Sequence, residues 1–233
     1  MNPLNSSLIV QCTKGKVEFM DEKAETRERI LHAAMTRIKH YGYGKTTMAE
    51  IAADCGMSPG NIYRFFEAKI DIAEAMARRH YAEQQLDCAA IARRKDLSPD
   101  ERLREIFTRK MRDNYNLVAE NAKILEVAEV LSRERPIFAN EMLASERVFL
   151  SALLEEGAGQ GLFIEGDFEF IAEMLQSATV KFSFPHQFSQ LTLAKLEREL
   201  SGVLGLVLNG IYARPESSMG AGKSARPRVS EKN

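Results

Sequence analysis

Several things are missing from this sequence, and each absence narrows what it can do. No apolar run approaches the length of a membrane-spanning helix, so no membrane role is expected. There is no H-E-x-x-H, no P-loop, no G-x-S-x-G and no paired-cysteine spacing. The four histidines, His32, His40, His80 and His186, are scattered. The common catalytic and metal-site signatures therefore find no footing, and no cofactor or enzymatic activity is expected. The three cysteines, Cys12, Cys55 and Cys88, are odd in number and lack metal spacing, which fits a reduced, cytoplasmic compartment. Net charge is also nearly absent. The 32 Lys and Arg against 33 Asp and Glu leave −1, so bulk charge gives no pull toward nucleic acid and any basic surface must be local. No internal repeat and no convincing strand is legible. Residues 1–20 contain Leu8, Ile9 and Val10 but lack the charged start and long apolar segment of a secretion signal. They read as a disordered leader, with Met20 a second candidate start of translation.

What is present is helix. At 233 residues and 45% hydrophobic content the chain can bury a substantial core. Residues 42–69, GYGKTTMAEIAADCGMSPGNIYRFFEAK, organise the rest. Thr47 and Glu50 have capping-box spacing, so a helix starts at Thr47, with Ile51 and Ala52 on its buried side. Gly56 suits a turn that needs positive φ. Ser58 is an N-cap, and Pro59 follows at the first helical position. Ile62 then points inward. A small residue, a turn glycine and an apolar plug in this order make a helix-turn-helix, whose second helix enters the DNA major groove. The outer face of that helix carries Ser58, Pro59, Gly60, Asn61, Tyr63 and Arg64. Arg64 suits a guanine edge or a phosphate, Asn61 an adenine edge, and Tyr63 the sugar–phosphate backbone. Lys45, Thr46 and Thr47 at the start of the preceding helix, and Lys69 at the start of the following one, stand where free N–H groups favour phosphate. Singly, each of these residues is as well explained as solvated surface; together they point to DNA.

The string resembles the TetR family of bacterial transcriptional repressors. The resemblance rests on Gly42, Tyr43, Thr46, Thr47, Ile51, Ala52, Gly56, Ser58, Gly60, Tyr63, Phe66 and Lys69, and covers about fifty residues, from near Ala24 to near Ala75. Three positions depart from the family pattern. Asn61 stands where a small or hydroxyl residue is common, Ala68 where a short polar cap is usual, and Ile70 where an acid is usual. These touch operator choice and the cap of the fourth helix, not the fold.

Elsewhere helical periodicity dominates. Ile30, Leu31, Ala34, Met35, Ile38 and Tyr41 space a first helix from Lys23. Ile72, Ala73, Met76, Ala77, His80 and Tyr81 form the inner stripe of a long fourth helix from Ala68 to Ala92. His80 there is better read as a half-buried core histidine than as a ligand or switch. Ser98, Pro99 and Glu101 start a fifth helix. Others are expected over 121–133, 136–156, from Asp167 to Pro185, and over 192–212. Beyond Ala213 the tail is rich in Ser, Gly, Pro and charge and reads as disordered.

The expected fold is all-α, about nine helices. Residues 21–67 form the helix-turn-helix domain, 68–213 a helical regulatory and dimerisation domain, and 214–233 a disordered tail. Leu175 and a wide stripe of Leu196, Leu200, Val203, Leu204, Val207 and Ile211 suit either a buried core or a subunit interface, and Gly202 and Gly205 would let another helix come close. The resemblance implies the interface, a homodimer joined by its last two helices. Met111, Tyr115, Phe138, Met142, Phe149, Ala178 and Phe182 suit either plain core packing or a cavity. The resemblance implies a small-molecule inducer bound in that region, which releases the dimer from a near-palindromic operator. The rival reading is a helical interaction module that keeps the fold and dimer without DNA binding; Lys45, Arg64 and Lys69 argue against it.

Overall fold

Helix start signals govern this architecture. A computed structural model of the protein describes residues 9–13, 16–20, 22–188 and 190–214. It places nine α-helices among the described residues: α1 Glu22–Tyr41, α2 Met48–Asp54, α3 Pro59–Ile62, α4 Lys69–Ala92, α5 Pro99–Glu120, α6 Ile124–Glu134, α7 Pro136–Gly159, α8 Phe168–Ser183 and α9 Leu193–Ile211. A short 3₁₀ turn, Pro185–Gln187, follows α8. The capping box at Thr47 is formed: Glu50 N–H donates to Thr47 Oγ1, and Thr47 N–H donates to Glu50. Glu101 likewise accepts from the Ser98 N–H. At α4 the missing polar cap is half replaced. Ala68 offers no side-chain oxygen, but its N–H donates to the Asp71 carboxylate at 2.9 Å.

The expectation of no strand and a disordered leader is corrected over two short segments. Ile9–Thr13 (β1) and Lys16–Met20 (β2) pair as an antiparallel ribbon, Ile9 opposite Met20 and Thr13 opposite Lys16. The physical reason is local. Ile9, Val10, Thr13, Val17 and Phe19 are strand formers by residue type. The class remains all-α. The tail expected to be disordered, from 215 on, lies outside the described residues.

The apolar stripes close two cores. One gathers α1–α3 with the first half of α4, α6 and Phe138: Ile30, Ile38, Ile51, Ile62, Ile72, Ile124 and Val127 are among its members. The other gathers α5, α7, α8 and α9 around Leu103, Met111, Leu150, Leu175, Leu200 and Leu204. Helix α4 bridges them, with Met76 in the first core and Cys88 in the second. No described helix is long and apolar enough to cross a membrane.

Candidate nucleic-acid interface and apolar cavity

Helices α1, α2 and α3 hold the reading surface in place by buried plugs and short ties. Ala52 and Ile62 are fully buried, as the spacing predicts, and Gly56 takes φ +67° in the turn between α2 and α3. Arg27, on α1, donates to Phe65 O at 2.8 Å and lies 4.0 Å over the Phe66 ring. It thereby fastens the end of the α3 turn to α1. Arg37 bridges α1 to α2 through Asp54 at 2.7 Å, which lowers the aspartate's pKa.

The face this leaves outward is most of the expected one. Lys45, Thr47, Ser58, Pro59, Gly60, Tyr63 and Arg64 are all exposed. Ser58 stands at the N-cap position without using its hydroxyl as a cap, so that oxygen is left to the surface. Asn61 is half-buried, and its side-chain oxygen lies 3.5 Å from Arg64 Nη1.

Two of the expected phosphate contacts turn inward instead. Thr46 is buried, its hydroxyl donating to Gly42 O at 2.8 Å. Lys69 donates from Nζ to Tyr43 O and Thr46 O, each at 2.7 Å, and stands 4.1 Å over the Tyr43 ring. Burial pulls its ammonium below the ordinary lysine value. The reason is geometric: the loop before α2 carries carbonyls with no helical partner, and the first residue of α4 is within reach of them. Lys69 thus pins the α1–α2 loop onto α4.

A cavity of about 400 Å³ lies where the reading helices meet the rest. Its wall takes Met35 from α1; Met76, Ala77, His80 and Tyr81 from α4; Asn114 and Leu117 from α5; Ile124, Val127, Ala128 and Leu131 from α6; Phe138 from α7; and Phe184, Pro185 and His186. Exposed Arg79, Glu83 and Gln187 mark the side toward solvent. Of the residues expected to line a cavity, Phe138 does. Met142 and Phe149 line a separate void of only about 20 Å³. Met111 and Phe182 are buried in the second core, and Tyr115 packs against it. Ala178 is exposed on the outer side of α8. Hydrophobicity marked those positions as inward, but which of several inward faces borders a gap depends on how the helices cross. The α4 stripe, Met76 to Tyr81, was legible as an inner face, and His80 is indeed half-buried. The α6 stripe of Ile124, Val127 and Leu131 has the same helical spacing and was the missed signal.

Helix α6 and the turn before it also reach the reading module directly. Glu126 accepts from Gly44 N–H at 2.9 Å, Asn121 Nδ2 donates to Lys39 O at 2.7 Å, and the Lys123 ammonium donates to His40 O. Gly42 is required beside this contact. It holds φ +91°, and a Cβ there would lie 2.6 Å from the Glu126 carboxylate.

The expected dimer residues divide. Leu175, Leu196, Leu200 and Leu204 are fully buried within this chain, while Val203, Val207 and Ile211 are half-buried against the same core. The outward face is a different one. Phe170, Met174 and Ala178 stand exposed four residues apart on α8, and Leu206 is 78% exposed on α9, where Gly202 is also exposed. Of the two readings open for the α9 stripe, its leucines take the buried core, packed against α5 and α8 of the same chain.

A three-helix reading module with an exposed basic and aromatic turn, set on a helical body, defines a helix-turn-helix transcriptional regulator. Comparison with known proteins agrees. Residues 30–76 match the bacterial regulatory proteins of the tetR family, and residues 99–204 match a tetracyclin repressor-like C-terminal domain. The chain belongs to the tetR family, and it is a DNA-binding regulator rather than an enzyme. It is similar to the HTH-type transcriptional repressor BepR of Brucella suis biovar 1 (strain 1330), 43% identical over 58 residues. That match spans 25% of this chain and 28% of the relative's length. A TetR/AcrR-family regulator from Thermobifida fusca YX-ER1 shares the fold, with TM-score 0.61 and 22% identity over 80% of this chain and 98% of its own. So does SmeT, the repressor of the Stenotrophomonas maltophilia efflux pump SmeDEF, with TM-score 0.61 and 19% identity over 90% and 100% of the two chains.

Proposed function

We propose that this regulator is a cytoplasmic repressor which binds a near-palindromic operator as a homodimer and is released by a small, largely apolar inducer. One observation carries the inducer half of the reading. The cavity wall is shared between α1 of the reading module, through Met35, and α6, through Ile124 and Val127. The same α6 holds the loop ahead of α2 through Glu126. A molecule in that cavity therefore touches the elements that position the reader. Filling it shifts the protein toward an arrangement that no longer fits the operator, provided the molecule favours that arrangement. A full switch needs a preference of about 5 kcal/mol.

Repression fits the name of the relative matched over 58 residues. The dimer reading is supported by the exposed apolar face of Phe170, Met174 and Leu206, with Gly202 open beside it. DNA reading is assigned to Lys45, Thr47, Ser58, Gly60, Asn61, Tyr63 and Arg64, with Lys69 and Thr46 shaping the loop that presents them. The test is footprinting on the promoter of the protein's own gene and its neighbours, repeated with cell metabolites and with an Ala128→Phe variant that fills the cavity. Protection lost on adding a small apolar fraction, and kept in the variant, is the expected result. Protection that no fraction disturbs would refute the inducer.

A further inference from the structure

The wall of the 400 Å³ cavity is mostly apolar, and its charged side chains are already engaged. Arg135 donates to Asp71 at 2.7 Å and to Glu74 at 3.1 Å. Arg79 pairs with Glu28 and with Glu83. Arg79, Glu83 and Arg135 are the charged residues that line the cavity, so a charged ligand would meet no spare counter-charge among them, and an ion buried without one is strongly disfavoured.

Two imidazoles are placed differently. Among the described residues, His186 Nδ1 is buried and has no hydrogen-bond partner. His80 Nε2 reaches only Asn114 Oδ1, at 3.5 Å, the outer edge of a hydrogen bond, and Gln84 Nε2 already approaches that oxygen at 3.4 Å. A buried nitrogen without a partner carries a free-energy penalty of about 1–3 kcal/mol, and few native groups bear it without a reason. Each imidazole can donate or accept according to its tautomer. Spare neutral hydrogen-bonding capacity in an apolar wall, with no spare charge, describes the complement of the ligand.

We propose that the cavity recognises an uncharged, mostly apolar molecule bearing a hydroxyl or carbonyl oxygen, and that His186, with His80 on the same cavity wall, reads that oxygen. This rests on the reading of the cavity as the inducer site. It adds the head group, which apolar lining alone does not specify.

The test uses the full chain near neutral pH and four probes of one ring system: 2-naphthol, naphthalene, 2-naphthoate and 2-naphthylmethylammonium. Dissociation constants are read from probe fluorescence, on the wild type and on His186→Phe, which keeps a flat ring and removes both nitrogens. On the wild type 2-naphthol is expected to bind about tenfold tighter than either charged probe, the equivalent of about 1.4 kcal/mol. His186→Phe should weaken 2-naphthol about fivefold relative to naphthalene, the typical weight of one neutral hydrogen bond. Circular dichroism checks that the variant is folded; if its helix content falls, His80→Phe carries the same comparison. Tighter binding of the anion or the cation would overturn the proposal, as would equal losses of naphthol and naphthalene, or no loss of either. In each of those cases the cavity still binds and the inducer site stands. Binding of none of the four would overturn the inducer site and this proposal together.

Discussion

The Glu126 carboxylate accepts the backbone N–H of Gly44 at 2.9 Å, across 82 residues of chain. This contact joins a helix that lines the cavity to the loop between α1 and α2 of the DNA reader. Glu126→Ala removes the tie without opening the core, since Glu126 is only half-buried. Operator affinity is expected to change by about fivefold, the weight of one hydrogen bond of roughly 1 kcal/mol, while the response to inducer shrinks. Gel-shift titration with and without inducer checks both. An unchanged response would show that coupling runs through other contacts.

Lys45 and Lys69 should separate cleanly. Lys45 is exposed, so Lys45→Ala should flatten the dependence of log affinity on log salt by about one unit with no change in melting temperature. Lys69 holds two carbonyls, so Lys69→Ala should act first on stability, costing about 1.5–3 kcal/mol. Salt titration and thermal melting of both variants decide it. A slope change for Lys69→Ala at full stability would return that residue to the phosphate contacts.

The two sides of α9 should also part company. Leu206→Asp together with Met174→Asp is expected to give a folded monomer, because both side chains point out of this chain's own core. Leu200→Asp should unfold the protein instead, since it places a charge where no water or partner reaches. Light scattering and circular dichroism distinguish the outcomes. A dimeric Leu206→Asp, Met174→Asp variant would place the subunit contact elsewhere.

Acid should loosen the second core at a known point. The Arg102 and Lys95 side chains hold the Glu156 carboxyl down at about 2, from 4.5. A carboxylate with a depressed folded-state pKa adds stability above its unfolded value, and that stability is lost as pH falls through the folded one. The loss therefore lies between about pH 4.5 and pH 2. Glu156→Gln should lower stability at neutral pH by about 1–3 kcal/mol, because Arg102 is buried and loses its acid partner. The same variant should flatten the acid limb of melting temperature against pH. An unaltered limb would assign acid sensitivity to other carboxylates.

How much of this was legible in the sequence depends on what each feature rests on. The helix starts at Thr47, Ser58 and Ser98 were readable because caps are local. So was the outward Tyr63 and Arg64 face, which needs only one turn of helix. Lys69 was misplaced because its partners are carbonyls 23 and 26 residues away, and a carbonyl leaves no mark in the sequence. Ala178, expected on a cavity wall, stands outward for a related reason. Periodicity gives an apolar face, but the neighbour that claims it is a matter of tertiary packing. The cavity was legible as an apolar region and not as a location, since a gap is defined by the crossing of α1, α4 and α6 rather than by any one stripe.

The first core does not stop where the reading module stops in sequence. Ile72, Ala73 and Met76 of α4, with Ile124, Val127 and Leu131 of α6, sit in the same cluster as Ile30, Ile51 and Ile62. The DNA reader is thus finished by helices that lie up to seventy residues downstream. A fragment cut at residue 67 would uncover the side of α1 that α4 packs against, and grafting the reader onto another body would have to carry α4 and α6 with it. In the intact chain, the parts that share the first core and the parts that form the reading face are different sets, and α6 belongs to the first without belonging to the second.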